Sequence, residues 1–254
     1  VTCPRDVGCG RNHSGALSTI KPFRSDLFFQ MIDNKLTIIN NADKKWHEEW
    51  TPQRNLCNFP HPFRAILIGR PGCGKTSTAQ NMLIRQTPCF EHLMIVHVDG
   101  EYSQEWDECD PTEVIDHVPN FKDIDGKRKT LIVFEDFEIS GLKRDDQRLL
   151  SRLFGYCSTH KNCSLIVCQQ DPKAVPALIR RLSNIFVLWR GLDMRVLDGY
   201  GTRMGLDRGG LKRLFEKYTK RDNMYDSIWL DVTQGTPAPV RVNCYQIVTD
   251  QFGE

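Results

Sequence analysis

Two short stretches hold residue types that could do chemistry together: GRPGCGKT at 69–76 and LIVFEDFE at 131–138. The first carries Gly69, Gly74, Lys75 and Thr76 at the spacing of a phosphate-binding loop, G-x-x-x-x-G-K-[ST]. Glycines let the chain wrap closely round a phosphate chain with its N–H groups turned inward. A helix starting near Lys75 adds the positive end of its dipole. In such a loop Lys75 supplies a point charge to the β- and γ-phosphates, and Thr76 a hydroxyl ligand for Mg2+. The nucleotide contacts are expected from Gly69, Arg70, Pro71, Gly72, Cys73, Gly74, Lys75, Thr76 and Ser77.

The second stretch runs four apolar residues into Glu135, Asp136 and, two further on, Glu138. Carboxylates at the tip of a buried strand repel one another unless a cation or a basic partner lies between them. Beside a phosphate loop they read as one acid that holds Mg2+ and one that orients or deprotonates the attacking water. The blander reading is a pair of solvated loop acids. Position gives Glu135 the metal-side role, with Thr76, and Asp136 the water-activating role. Residue type suggests the reverse, since the usual order is Asp then Glu. Glu138 reads as a solvated neighbour.

Gln169 ends another apolar run, SLIVCQQ, where its amide could reach a γ-phosphate or simply bond a loop. Arg180, Arg181, Arg190 and Arg195 lie downstream, and an arginine reaching a γ-phosphate across a subunit boundary speeds hydrolysis by orders of magnitude. The catalytic set is thus Lys75, Glu135, Asp136, Gln169 and Arg180. Between 203 and 221, seven basic residues face Asp207 and Glu216 alone. That excess suits a nucleic-acid or partner surface as well as a solvated helix face.

These residues need elements to hold them. RAILI, HLMIVHV, TLIVFE, SLIVCQ and NIFVLW are short apolar runs without alternation, the mark of strands buried on both faces. KTSTAQNMLIRQ and DDQRLLSRLFGYCS read as helices, the latter by the spacing of Leu149, Leu150, Leu153 and Phe154. DSIWLDV and APVRVNCYQIV flank TQGTP as a β-hairpin. The expected fold is α/β, a largely parallel sheet flanked by helices with a C-terminal β-hairpin. Residues 61–254 form that domain, and 1–60, polar and irregular, form an N-terminal extension.

The 254 residues suffice for one such domain, and a net charge of +2 is too small to argue for a nucleic-acid partner by itself. No apolar run reaches a membrane span and no secretory leader is evident, so the chain is expected off the membrane. Ten cysteines, several inside apolar stretches, point to a reducing compartment rather than a disulfide scaffold. Cys3, Cys9 and His13, and Cys157, His160 and Cys163, form two loose trios without the paired spacing of a structural zinc site.

Together the motifs resemble the FtsK–HerA class of P-loop ATPases, in particular the genome-packaging ATPases of large double-stranded DNA viruses and virophages. The likeness runs over roughly residues 60–245 and rests on HPFRAILIGRPGCGKTS, CFEHLMIVHV, FEDF, CSTHKNCSLIVCQQ, LIRRLSNIFVLWRGLDMR and YDSIWLDVTQGTPAPVRVN. It implies a RecA/FtsK-like fold, ATP and Mg2+ as cofactors, a homo-oligomeric ring, double-stranded DNA as substrate, and a capsid or portal protein as partner. It implies an intracellular place of action, in the host cytoplasm or a virus factory, or association with the virion. Gln169 becomes the polar sensor. Arg180 is favoured to act in trans on a neighbour's nucleotide, with Lys161 and Arg181 as the other candidates. The chain departs from the pattern in its Glu-Asp order and in Lys161, where some members carry Arg; lysine lacks the bidentate contact of a guanidinium. A helicase or recombination ATPase of the same class, and a nucleotide-dependent capsid-assembly scaffold, are the alternatives.

Overall fold

A strand with apolar residues on both faces must be covered on both, and only helices above and below a sheet do that economically. The computed structural model describes residues 59–99, 104–233, 236 and 239–248, and there each apolar run is a strand. In chain order these are β1 (Arg64–Ile68), α1 (Lys75–Ile84), β2 (His92–Val96), β3 (Glu113–Ile115), β4 (Thr130–Phe134), α2 (Arg144–Arg152), β5 (Cys163–Gln169), α3 (Ala177–Leu182), β6 (Ile185–Trp189), α4 (Met194–Gly201), α5 (Gly210–Tyr218), β7 (Ser227–Asp231), β8 (Val240–Val242) and β9 (Gln246–Ile247). Beyond Arg152 the second helix continues through a wider turn, Leu153–Cys157, to His160.

The described strands form one sheet in the order β3-β2-β4-β5-β1-β6-β7-β8-β9. The first six pair in parallel and the last three antiparallel. The expected hairpin is β7 with β8, Ile228 opposite Val242, and β9 adds a further short strand to it. β5 stands between the phosphate-loop strand β1 and the acid strand β4, so the ends of all three meet along one edge.

Successive side chains of a strand point to opposite faces, and the core divides accordingly. Ala65, Leu67, Leu131, Val133, Ile166 and Cys168 pack with Ala79 and Met82 of α1 on one face. Ile66, Ile68, Ile132, Phe134, Leu165 and Val167 pack on the other with Leu150, Ile179, Leu197 and Phe215 of the remaining helices. Apart from Phe59 and Pro60, the expected N-terminal extension, with the Cys3, Cys9 and His13 trio, lies outside the described residues. Phe59 itself is fully buried, stacked on Trp229 at 5.2 Å. Cys157 and Cys163 of the second trio are buried free thiols, and Cys157 Sγ donates to Phe121 O. No described helix is long and apolar enough to cross a membrane.

A buried polar chain ties the approach to β1 onto the start of β5. The Phe63 N–H donates to Ser164 Oγ at 3.0 Å, Ser164 Oγ lies 2.9 Å from His61 Nδ1, and His61 Nε2 lies 2.6 Å from Asn162 Oδ1. Nε2 faces the acceptor Asn162 Oδ1 and so carries the ring proton, which leaves Nδ1 unprotonated to accept from the Ser164 hydroxyl. Burial pushes the His61 pKa down to about 4, opposed by the Asn162 bond and reinforced by Lys129. An unfolded His binds its proton near pH 6.5, so the stability this network contributes is complete above that pH and is lost as pH falls toward 4. The shift corresponds to roughly 3 kcal/mol. Urea titrations at pH 7.5 and pH 4.5 should show a fall in stability that shrinks in His61→Gln; an equal fall in both proteins would refute the assignment.

Candidate functional site

β1 ends at Ile68 and the chain turns at once into the phosphate loop. Gly69 must be glycine for lack of space: a Cβ there would come within 2.3 Å of Cys73 Sγ and 3.0 Å of Trp189 Cε3. Its N–H donates to Gln169 O at 3.2 Å, fixing the loop to the tip of β5. Gly74 sits at φ 95°, in the left-handed region, immediately before α1. No side chain caps α1 and its first turn holds no acid, so its leading N–H groups are available to an anion. Lys75 is buried and folds back over its own loop, donating to Gly69 O at 3.0 Å and Arg70 O at 3.2 Å.

The pleat decides where the acids go. Glu135 shares the parity of Leu131 and Val133 and so falls on the α1 face, where Thr76 Oγ1 donates to its Oε1 at 2.9 Å. Its N–H still pairs with Val96 O, and the side chain is 3% exposed. Its other oxygen, Oε2, is buried without a hydrogen-bond partner, and the polar group beside the carboxylate is the Cys168 thiol. Burial pushes the Glu135 pKa up; Cys168, Thr76 and Lys75 oppose that and Asp136 adds to it. An unpaired buried carboxylate oxygen is costly. A hard divalent cation, which takes oxygen ligands, fits this pair of Thr76 and Glu135.

Asp136 follows at φ 45°, the backbone swings out of the strand, and its side chain is exposed. Gln170 Nε2 donates to Asp136 Oδ1 at 3.3 Å. Sequence reasoning passed over Gln170, although it is the neighbour of Gln169 and has the opposite parity. Gln169 lies on the other face and donates from Nε2 to Phe137 O at 2.8 Å, in the loop just past the acids. The two glutamines thus hold the acid loop from both sides of the β5 tip. Glu138 is exposed.

The basic candidates lie elsewhere. α3 starts beyond the β5 tip and ends at Leu182, which accepts from Arg64 Nε at the start of β1. The Arg180 guanidinium bonds the Tyr200 hydroxyl, which donates to Pro172 O, three residues past Gln169. Arg180 lies over the Tyr200 ring at 5.9 Å, and Arg203 donates to the backbone carbonyls of both Arg180 and Arg181. The Lys161 ammonium is held within its own subunit, donating to Phe121 O at 2.8 Å and also to Ile124 O. Arg190 caps the end of α5 through Thr219 and Phe215. Lys212, Arg213 and Lys217 line the exposed face of α5, with Arg213 paired to Asp207 and Lys212 at 3.8 Å from Glu216.

Neither a protein-family model nor the sequence of a curated protein matches the chain. Solved structures do match its fold. The genome packaging NTPase B204 from Sulfolobus turreted icosahedral virus 2, in complex with AMPPCP, aligns over 71% of this chain and 96% of its own at 13% identity, with a TM-score of 0.50. B204 from Sulfolobus turreted icosahedral virus aligns over 72% and 97% at 12% identity, with a TM-score of 0.49. The pCW3 conjugation coupling protein TcpA with ATPγS aligns over 66% of this chain and 57% of its own at 13% identity, with a TM-score of 0.46. The fold is that of the P-loop NTPases.

The buried acid has a consequence for stability. Because its folded pKa is raised, ionisation of Glu135 opposes folding, and the nucleotide-free protein loses stability as pH rises from the ordinary carboxylate range through that raised value. Glu135→Gln removes the charge. Its urea midpoint relative to wild type should therefore improve between pH 5 and pH 8; a difference independent of pH would contradict the burial of this charge.

Proposed function

We propose that the chain is an ATP-hydrolysing motor that moves double-stranded DNA, acting as a ring of identical subunits to package a viral genome. The observation that carries the proposal is the Thr76–Glu135 pair beneath the phosphate loop, with a second acid, Asp136, one residue beyond. A switch that only binds nucleotide needs no second acid there. The match of Gly69, Gly74, Lys75 and Thr76 to the loop pattern, and the fold shared with a packaging NTPase in complex with AMPPCP, support the same reading.

In this account the triphosphate lies in the loop against the N–H groups of the first turn of α1. Lys75 exchanges its bonds to Gly69 O and Arg70 O for phosphate oxygens. Thr76 and Glu135 would hold Mg2+, which would supply positive charge to the phosphates. Asp136, released from Gln170, takes a proton from the water that attacks the γ-phosphorus. The bond from that phosphorus to the β-bridging oxygen breaks, leaving ADP and inorganic phosphate. Gln169, bonded to the loop carbonyl of Phe137 and through its own carbonyl to Gly69, carries the change between the two loops. Arg180 serves a neighbour's nucleotide, with Lys161 and Arg181 second to it. The exposed bases of α5 meet DNA phosphates, because a packaging motor must ignore sequence. Capsid or portal protein is the docking partner, and the work is done inside the infected cell or on the virion.

ATP turnover measured with and without duplex DNA tests this. Duplex should stimulate turnover. Asp136→Asn should lower it about 100-fold or more while nucleotide binding persists, and Glu135→Gln should weaken Mg2+-dependent binding. Exchanged phenotypes would overturn the two roles. Turnover indifferent to duplex of any length would overturn the motor, and strand separation on a forked substrate would indicate a helicase instead.

A further inference from the structure

The phosphate loop accounts for the phosphates of a nucleotide and leaves its base without a place. A triphosphate whose outer groups lie at Lys75 and Thr76 must leave the loop past Ser77 and Thr78, the next residues of α1. A cavity of about 450 Å3 opens at that point, within the size range of small-molecule sites. One wall is the outer side of α1, with Ser77, Thr78 and Asn81. The other is made by the loop before β7 and the turn between β8 and β9, with Tyr225 and Tyr245 at its mouth.

Both tyrosines are far more exposed than large aromatic residues usually are, Tyr225 at 65% and Tyr245 at 81%. Their loops are nonetheless firmly framed. Asp226, buried, accepts from Asn223 Nδ2 at 2.8 Å and Asn243 Nδ2 at 2.9 Å on one oxygen, and from the Lys220 N–H at 2.8 Å on the other. Asn243 Oδ1 in turn accepts from the Ser227 N–H at 2.8 Å. Asn243 and Cys244 are held at φ 49° and 75°, a turn conformation that such ties maintain. The first of these loops also leans on the phosphate loop: a Cβ at Gly74 would meet Tyr225 Cδ1 at 3.7 Å, and one at Gly72 would meet Met224 Cε at 3.5 Å. One carboxylate therefore ties together two loops, each of which shows a tyrosine to the same cavity beside the start of α1.

We propose that this cavity receives the nucleoside of the bound triphosphate, with the purine stacked on Tyr225 and enclosed on the outer side by Tyr245. The assignment rests on the nucleotide-binding reading of the phosphate loop and names the ligand class for the adjoining space. Recognition is by stacking. Asp226 is the one carboxylate among the described lining residues, and both its oxygens are engaged by the frame, so neither is left for the paired N1–H and amino donors of guanine. Adenine and guanine nucleotides should depend on Tyr225 alike.

Calorimetric titration of the intact chain with ATP, GTP and inorganic tripolyphosphate separates the base site from the phosphate site. Tyr225→Ala should weaken ATP and GTP about tenfold to a hundredfold, the range seen when an aromatic that stacks on a base is removed, and leave tripolyphosphate unchanged. Tyr225→Phe should restore binding of both nucleotides, which a merely disturbed loop would not do. Unchanged ATP affinity in Tyr225→Ala, or equal loss for tripolyphosphate, would overturn the base site while leaving the phosphate loop standing. Failure of wild-type protein to bind tripolyphosphate or ATP would overturn the nucleotide reading and the base site with it.

Discussion

The hydrogen bond from Thr76 to Glu135 joins the two halves of the site, and the pleat of β4 makes it possible. A strand can send a side chain to only one of two faces, and Glu135 inherits the face of Leu131 and Val133, under α1. The cost is a carboxylate oxygen buried with no partner. The Cys168 thiol, Thr76 and Lys75 offset part of that cost. The same parity sends Gln169 to the opposite face, where it grips the loop beyond the acids instead of lying beside Glu135.

Much of this was legible in the sequence, for reasons that are local. The strands were visible because full burial removes polar residues from both faces of RAILI or SLIVC, and few other structures tolerate that. The phosphate loop was visible because Gly69 and Gly74 are set by steric space and left-handed backbone, which leave residue types behind them. The order Glu135 then Asp136 looked reversed by residue type, and counting alternate residues from Leu131 places Glu135 on the α1 face. The hairpin of β7 and β8 was legible from its turn residues, whereas β9, two residues long, left no pattern to read.

What stayed hidden depends on pairs distant in the chain. Gln170 meets Asp136 across 34 positions, and neither residue type announces the other. Asp226 looks like one more loop acid until Asn243, 17 positions on, is seen to close on it. Lys161 makes a different long-range tie. A motif position suggested a role toward a neighbouring subunit, while two carbonyls of its own subunit occupy the ammonium.

The central claim is that Thr76 and Glu135 together seat the metal of a nucleotide complex. Electron paramagnetic resonance of Mn2+ titrated against the protein with a non-hydrolysable ATP analogue tests it most directly. The account predicts protein-bound Mn2+ that requires the analogue, is lost in Glu135→Gln and persists in Asp136→Asn. Mn2+ retained in Glu135→Gln and lost in Asp136→Asn would contradict it.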